Sequence, residues 1–544
     1  MDCGLCPLPA ALVPPVLARV FFIINPFYPH PNMDKILWAD DEIDLLKPHI
    51  LFLKAKGYDL TTVSNGRDAL DALDRDAFSL VLLDENMPGI SGLETLDLIN
   101  ERHPEVPVVM VTKSEEENIM DQAIGNRIAD YLIKPVNPNQ ILLSIKKNLH
   151  SREIVNVQAS SDYQQEFSKI SQMINMAGSI PEWMDVYRQL VRWELKLSET
   201  DNPMEEMLLM QKRDANSNFC KFVKRNYESW VTTDDHPLMS HEIFRRRVFP
   251  MLDAGEKVCF FLIDNFRLDQ WRVIQPLVAE YFNVSEDLYT TILPTSTQYA
   301  RNAIFAGLMP YDIAKMYPKY WVEEDENEGL NIHEDKLIQT QLDRFRRKEK
   351  FSYTKLNDSS AGEKFLQRLN SARDLPLHVI VLNFIDMLSH ARTESKMIRE
   401  LANNDAAYRS ITESWFRHST ALDIFRRLSE LGYKVIVTTD HGTIQVDNPI
   451  KVVGDRNTNT NLRYKCGKSL SYNARQVYEM HDPRRFGLPA PNLSSTFIFA
   501  LNEDFFSYPN NYSYYVQYYT GTFQHGGISL QEMLVPIVTL TPKS

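Results

Sequence analysis

The stretch VIVTTDHGTIQV, Val435 to Val446, opens as a β-branched run and ends abruptly in adjacent acid and imidazole, Asp440 and His441, followed by Gly442. The run reads as a buried strand that leaves the core at Asp440. Taken alone, Asp-His-Gly is a polar exit of the kind that ends many strands, although an acid beside an imidazole is also a pair of metal donors. The choice between the two rests on what the rest of the chain brings to the same sheet edge.

Three more stretches behave alike. KVCFFLIDNFRLDQW runs as an apolar strand into Asp264, and HVIVLNFIDMLSHART delivers Asp386 after another such run, with His390 four residues later. If a helical turn begins at Asp386, that spacing puts both side chains on one face, a workable pair of zinc ligands. In YTTILPTSTQYARNAIFAGLMP the chain passes Pro294 and enters a helical run at Thr297. A helix N-terminus there favours a phosphate, with Thr295 and Ser296 as rival hydroxyls. Near the end, TGTFQHGGISLQEMLVPIVTL sets His525 just before a glycine pair and a final amphipathic segment.

The first half carries a second set. From KILWADDE onward short apolar strands alternate with amphipathic segments to about residue 150, which predicts a parallel sheet with helices on both faces. Polar groups recur at the strand ends: Asp40 and Asp41, Asp84 in SLVLLDENMPGISG, Thr112 in PVVMVTKS, and Lys134 in ADYLIKPV. Carboxylates, a hydroxyl and a lysine on one edge make a pocket for a hard cation beside a reactive acid. Between the halves, apolar residues recur at three- and four-residue steps through IPEWMDVYRQLVRWELKLSE and its neighbours. A helical bundle is expected there, with Trp183, Trp193 and Trp230 in its core.

Composition narrows the classes. A chain of 544 residues exceeds one ordinary domain, and its formal net charge of −13 disfavours binding duplex DNA mainly through phosphate neutralisation. No helix-turn-helix with a basic recognition helix stands out, and no apolar stretch is long enough to insert into a membrane. Five cysteines, Cys220, Cys259 and Cys466 widely separated, fit a reduced cytoplasmic protein without structural disulfides. Residues 1–32, Pro-rich and containing Cys3 and Cys6, read as a leader or extended start and are expected to be disordered, with the first domain beginning at Met33.

On these residues, positions 33–152 resemble a response-regulator receiver domain. The resemblance implies a flavodoxin-like fold, Mg²⁺ held by Asp40, Asp41, Asp84 and the backbone carbonyl of Asn86, phosphorylation on Asp84, and Lys134 on the phosphoryl oxygens. It also makes Thr112 and Tyr131 the switch pair. Positions 256–544 resemble the alkaline phosphatase superfamily, nearest its phosphodiesterase branch and the PglZ domain. That resemblance implies two Zn²⁺ ions, one on Asp386, His390 and His525 and the other on Asp264, Asp440 and His441, with Thr297 bridging the second ion as nucleophile. Arg301 and Asn302 stand where other members present different phosphate-binding groups. The tract IKVVGDRNTNTNLRYKCGKSLSYNARQVYEM, with Lys451, Arg456, Arg463, Lys465, Lys468 and Arg475, suits a nucleotide chain stacked and neutralised beside the metals.

A receiver, a helical bundle at 153–250 and a PglZ-type domain in this order resemble the PorX-type response regulators of Bacteroidota. The family implies a cytoplasmic regulator of type IX secretion with a sensor histidine kinase, an extracytoplasmic-function sigma factor and the secretion motor protein as partners. It further implies a homodimer on phosphorylation and an oligonucleotide substrate. The competing expectation is a non-enzymatic adaptor with structural zinc.

Overall fold

The computed structural model describes residues 34–112, 128–149, 151–198, 204–322, 331–357, 359–394, 402, 404–455, 458–490, 492 and 494–543. The leader expected at 1–32 lies outside the described residues, as does Arg456. By internal packing the chain forms two compact units, Met1–Val157 and Gln158–Ser544.

In the first unit, strands β1 (Lys35–Ala39), β2 (Asp59–Val63), β3 (Leu80–Asp84), β4 (Val108–Thr112) and β5 (Asp130–Ile133) form a parallel sheet in the order β2-β1-β3-β4-β5. The three inner strands β1, β3 and β4 are apolar on both faces because both are covered. Ile36, Trp38 and Leu82 meet Leu53 of α1 (Lys47–Ala55) and Ile141 and Ile145 of α4 (Pro138–Leu149). Leu37, Ala39, Val81 and Leu83 meet Ala69 of α2 (Gly66–Leu73) and Leu96 and Ile99 of α3 (Gly92–Arg102). Each fully buried Leu, Ile or Val among them stabilises the sheet by about 1.5–3 kcal/mol.

Helix α3 starts sharply. Ser91 caps it, its hydroxyl accepting from the Glu94 amide at 3.2 Å while Glu94 accepts from the Ser91 amide at 2.9 Å. Gly92 then lies so close to the loop after β3 that a Cβ would stand 2.3 Å from the Asp84 carbonyl oxygen.

The second unit is built on a six-stranded sheet in the order β7-β14-β10-β6-β9-β8. Its strands are β6 (Val258–Ile263), β7 (Phe282–Thr290), β8 (Phe351–Leu356), β9 (Leu377–Leu382), β10 (Lys434–Thr438) and β14 (Leu534–Pro542). Five run parallel, and β14 lies antiparallel between β7 and β10. β6 and β9 are buried along their whole length, so the ends of β6, β9 and β10 open side by side onto one carboxyl edge. A smaller antiparallel sheet, β11 (Tyr464–Gly467), β12 (Val477–Met480) and β13 (Thr496–Ala500), has the order β11-β13-β12.

Helices α5 (Ser151–Met176), α6 (Ile180–Ser198) and α7 (Glu205–Thr232) form the expected helical segment, and from Ala159 onward they share one core with the sheet. Trp183, Trp193 and Trp230 are all buried in it. Along α7, Asn216 accepts from the Leu530 amide at 2.8 Å and the Tyr227 hydroxyl from the Leu293 amide at 2.8 Å, while the Cys220 thiol donates to the Ile528 carbonyl at 3.2 Å. One face of α7 therefore fastens the loops that follow β7 and precede β14. Cys220 and Cys259 are buried thiols, and among the described residues no helix is long and apolar enough to cross a membrane.

Gly92→Ala is expected to lower the stability of the first unit by about 1–3 kcal/mol through overpacking against the Asp84 carbonyl. Calorimetry of the full chain should show that unit's transition falling while the second unit's stays in place.

Candidate functional site

Among the described residues, two groups of acidic and histidine side chains converge closely enough to share a metal ion: Asp40, Asp41 and Asp84, and Asp264, Asp440 and His441. Both lie where the carboxyl ends of adjacent parallel strands leave a crevice at one sheet edge.

In the first unit, Asp40 follows β1, Asp84 ends β3 and Lys134 follows β5. The Lys134 ammonium lies 2.7 Å from Asp40 and 3.0 Å from Asp84, all three side chains being nearly withdrawn from solvent. Burial pushes the Asp84 carboxyl up to about 6, with Lys134 opposing that rise and Asp40 and Asp41 adding to it. Burial also works against the Lys134 ammonium, but Asp40 and Asp84 more than offset it, so its pKa stands above the ordinary lysine value. Asn86 is exposed two residues beyond Asp84. Tyr131, half-buried, packs against the α2–α3 side of the sheet. Thr112 ends β4, and its side chain lies outside the described residues.

In the second unit, Asp264 follows β6, and Asp440 and His441 follow β10. Thr297 is the first residue of α9 (Thr297–Ala306), and Asp386 lies in the first turn of α11 (Phe384–Glu394). His390 falls on the same helix, and its side chain lies outside the described residues. The Thr297 hydroxyl lies 3.0 Å from His441 Nε2 and 3.4 Å from Asp264 Oδ1. His525 stacks on His441 with ring centroids 4.2 Å apart, and its Nε2 stands 4.0 Å from Asp386 Oδ1. Asn265 ties the two halves, its side-chain amide donating to Asp386 at 3.4 Å and its backbone amide to Asp440 at 3.4 Å.

The imidazoles are oriented as metal ligands are. His441 Nδ1 lies 3.1 Å from the Gly442 carbonyl and His525 Nδ1 lies 3.2 Å from the Thr295 carbonyl. A carbonyl can only accept, which places the proton of each ring on Nδ1 and leaves each Nε2 lone pair facing the acids. The three hydroxyls at the start of α9 differ in the same way. Thr295 is buried and engaged, donating to the Gly527 carbonyl at 3.0 Å and accepting from the Gly526 amide at 2.9 Å. Ser296 is buried, whereas Thr297 is partly open.

Sequence reasoning marked Arg301 only as a departure from other phosphate-binding groups; the structure gives it another place. Its guanidinium, 1% exposed, ion-pairs with Asp264 and, at 2.9 Å, with Asp440, and it also faces Glu334 of α10 (Glu334–Arg344) at 3.5 Å. Burial opposes its charge, but Asp264, Asp440 and Glu334 hold its pKa well above the ordinary arginine value. Burial, with Asp440 adding to it and Arg301 opposing, still leaves the Asp264 carboxyl raised, and burial and Asp264 leave Asp386 raised well above the usual carboxylate range. Glu334, 1% exposed, is fixed by Tyr353 and by Lys355 at 2.7 Å. No local signal announces it, since its partners arrive from distant segments.

Three family models match successive parts of the chain. The BREX system PglZ alkaline phosphatase-like domain matches residues 243–540, more than half of the chain. The chain belongs to the PglZ alkaline phosphatase-like family. Ahead of the PglZ domain, the PorX response regulator linker domain matches residues 153–231 and the response regulator receiver domain residues 36–146, which is the PorX-type architecture. A transcriptional regulatory protein CpxR homolog of Haemophilus influenzae is 36% identical over 136 residues, 24% of this chain and 58% of that protein. The response regulator protein FleR of Pseudomonas aeruginosa is 35% identical over 108 residues, 20% of this chain and 23% of that one. The chain thus spans little more than half the length of the first relative and under a quarter of the second. A CheY-like receiver domain protein of Methanospirillum hungatei matches 22% of this chain and 98% of its own at 26% identity, with a TM-score of 0.22.

One expectation about the PglZ domain is corrected. Of the basic tract, Arg463 and Lys465 are internal, 0% and 1% exposed. Arg463 is clamped to Glu532, its two nitrogens 3.1 and 2.6 Å from the carboxylate, while Lys465 donates to the Asn459 carbonyl at 2.9 Å. Charge buried to this degree is consumed by its partners, so these two side chains cannot neutralise a nucleotide chain. Lys451, Lys468 and Arg475 remain exposed.

In metal-free protein, carbon-detected NMR of Asp84 should show a titration near 6, its ionised fraction falling as pH drops through that value. Lys134→Met should move the midpoint upward, because it removes the cation that holds the anionic form.

Proposed function

We propose that the chain is a response regulator phosphorylated on Asp84, with Mg²⁺ held at Asp40, Asp41, Asp84 and Asn86, and that its output is a two-zinc phosphodiesterase acting on cyclic or linear oligonucleotides. The observation that carries the output reading is the accessible Thr297 hydroxyl, set 3.0 Å from His441 Nε2 and 3.4 Å from Asp264 at the mouth of a helix. The donor set fits zinc: a buried trio of two carboxylates and a correctly protonated imidazole, and beside it Asp386, His525 and, by sequence, His390. Zinc bound at these residues would lower the pKa of the Thr297 hydroxyl and offset charge on the transferring phosphoryl group.

The chain's own groups supply the rest. The positive end of the α9 dipole, beginning at Thr297, would favour a phosphate held there. Thr297 Oγ1, its proton given up to solvent, forms a bond to phosphorus as the bond to the leaving oxygen breaks and that oxygen takes a proton from water; a second water then cleaves the phosphothreonine, releasing a phosphomonoester and restoring the hydroxyl. Arg301 holds Asp264 and Asp440 in place throughout, and with both carboxylates on it the guanidinium serves the ligands rather than the substrate. The regulatory reading follows from the architecture: a sensor histidine kinase as phosphodonor, dimerisation on phosphorylation, and contacts to an extracytoplasmic-function sigma factor and a type IX secretion motor protein.

Thr297→Ala should retain bound zinc, measured by elemental analysis, while hydrolysis of a chromogenic phosphodiester and of short oligonucleotides falls by at least about a thousandfold. Equal hydrolysis in both proteins would refute Thr297 as nucleophile. Zinc without hydrolysis in either would instead support the adaptor.

A further inference from the structure

Beneath the metal centre, six buried or half-buried charges close into a ring of alternating sign. Arg267 meets Asp269 at 2.7 Å, Asp269 meets Arg409 at 3.2 Å, and Arg409 meets Glu194 at 2.7 Å. Glu194 meets Lys212 at 2.8 Å, Lys212 meets Asp405 at 3.5 Å, and Asp405 returns to Arg267 at 2.7 Å. Four members come from the PglZ domain, on the loop after β6, the start of α8 (Leu268–Ala279) and α12 (Asp405–His418). The other two, Glu194 on α6 and Lys212 on α7, come from the linker helices. The ring has three charges of each sign and closes only through that linker pair.

Arg267 is 2% exposed and stands three residues beyond Asp264. It touches the segments that carry the other ligands as well. Its guanidinium lies over the rings of Phe523, two residues before His525, and of Tyr408, at 5.3 and 5.8 Å from the centroids. Those two rings stack on each other, and the Tyr408 hydroxyl donates to the carbonyl of Ile385, the neighbour of Asp386, at 3.0 Å. Gly442, next to His441, packs so tightly that a Cβ would stand 3.4 Å from Arg267 Cγ and 1.9 Å from the Gln531 carbonyl oxygen. The Gln531 side chain in turn accepts from Asn216, one turn beyond Lys212 on α7, at 3.0 Å.

We propose that Arg267 is the positioning residue of the metal centre and that the linker helices, through Glu194 and Lys212, set its geometry. The physical reason is that a planar guanidinium held bidentately by Asp269 and from the other side by Asp405 has one orientation, and the aromatic pair and glycine packed on it inherit that orientation. Removing a linker charge opens the ring, leaves its partners short of counter-charge in a dry place, and lets the four ligand-bearing segments relax relative to one another. A shift of the linker helices thereby reaches all four segments through a single side chain.

This inference rests on the metal-centre reading, and its test separates the two. In the full chain, Lys212→Met, Glu194→Gln and Lys212→Arg are compared with wild type for zinc affinity against a chromogenic chelator, for kcat and KM on a chromogenic diester, and for thermal midpoint in saturating zinc. Lys212→Met and Glu194→Gln should weaken zinc binding about 10–100-fold, the range typical of lost outer contacts to ligands. They should lower kcat more than KM changes, and Lys212→Arg should recover most of both. The near-isosteric Glu194→Gln decides the matter if Lys212→Met does not fold. Wild-type zinc affinity in Glu194→Gln, with only the thermal midpoint lowered, would overturn the positioning role alone. Absence of zinc binding in wild type would overturn it together with the metal-centre reading, whereas weakened zinc binding in a protein that hydrolyses nothing would uphold positioning and remove the phosphodiesterase.

Discussion

A carboxylate at the end of a buried strand is expensive unless its charge is met, and the PglZ domain brings two of them to one place. Asp264 and Asp440 end adjacent parallel strands, so the register of β6 on β10 forces them together. Arg301 resolves the conflict from α9, pairing with both. Because the same helix presents Thr297 one turn earlier, the contact that neutralises the acids also sets the hydroxyl against His441. Glu334, Tyr353 and Lys355 extend the charge balance outward, which gives the segment between α9 and β9 a structural reason to be long.

The receiver solves the same problem with a lysine. Asp40 and Asp84 also end neighbouring strands, and Lys134 bridges them from β5 as Arg301 bridges Asp264 and Asp440. The choice of cation fits the tasks. An ammonium is a compact point charge that can turn from a carboxylate to a phosphoryl oxygen, whereas a guanidinium fork paired on two sides is a fixed strut. Lys134 thus leaves its two carboxylates free to exchange partners, and Arg301 holds Asp264 and Asp440 in one arrangement.

Much of this was legible in the sequence because strand ends are local. A β-branched run followed by Asp, as in VIVTTD or FFLID, declares both the strand and the residue at its edge, and the order of such runs carries the resemblance to the PglZ and receiver families. The helical period likewise declared α6 and its tryptophans. What stayed hidden was pairing across long separations. Arg301 read as a departure among phosphate-binding groups, Glu334 drew no notice, and Arg463 and Lys465 read as a basic surface, because exposure depends on partners such as Glu532 that lie far along the chain. The closed ring of Arg267, Asp269, Arg409, Glu194, Lys212 and Asp405 has no linear signature at all.

The antiparallel strand β14 has a consequence for how the molecule comes into being. It is the last strand of its sheet in sequence yet lies inside it, between β7 and β10. Until residues 534–542 have emerged from the ribosome, β7 has no partner in the sheet and β10 has one edge bare. Such long-separation pairing is slow to form and leaves strand edges open in the meantime. The loop carrying His525 lies shortly before this strand, so the cluster around Thr297 and His441 is completed only once the last stretch of the PglZ domain has joined the sheet.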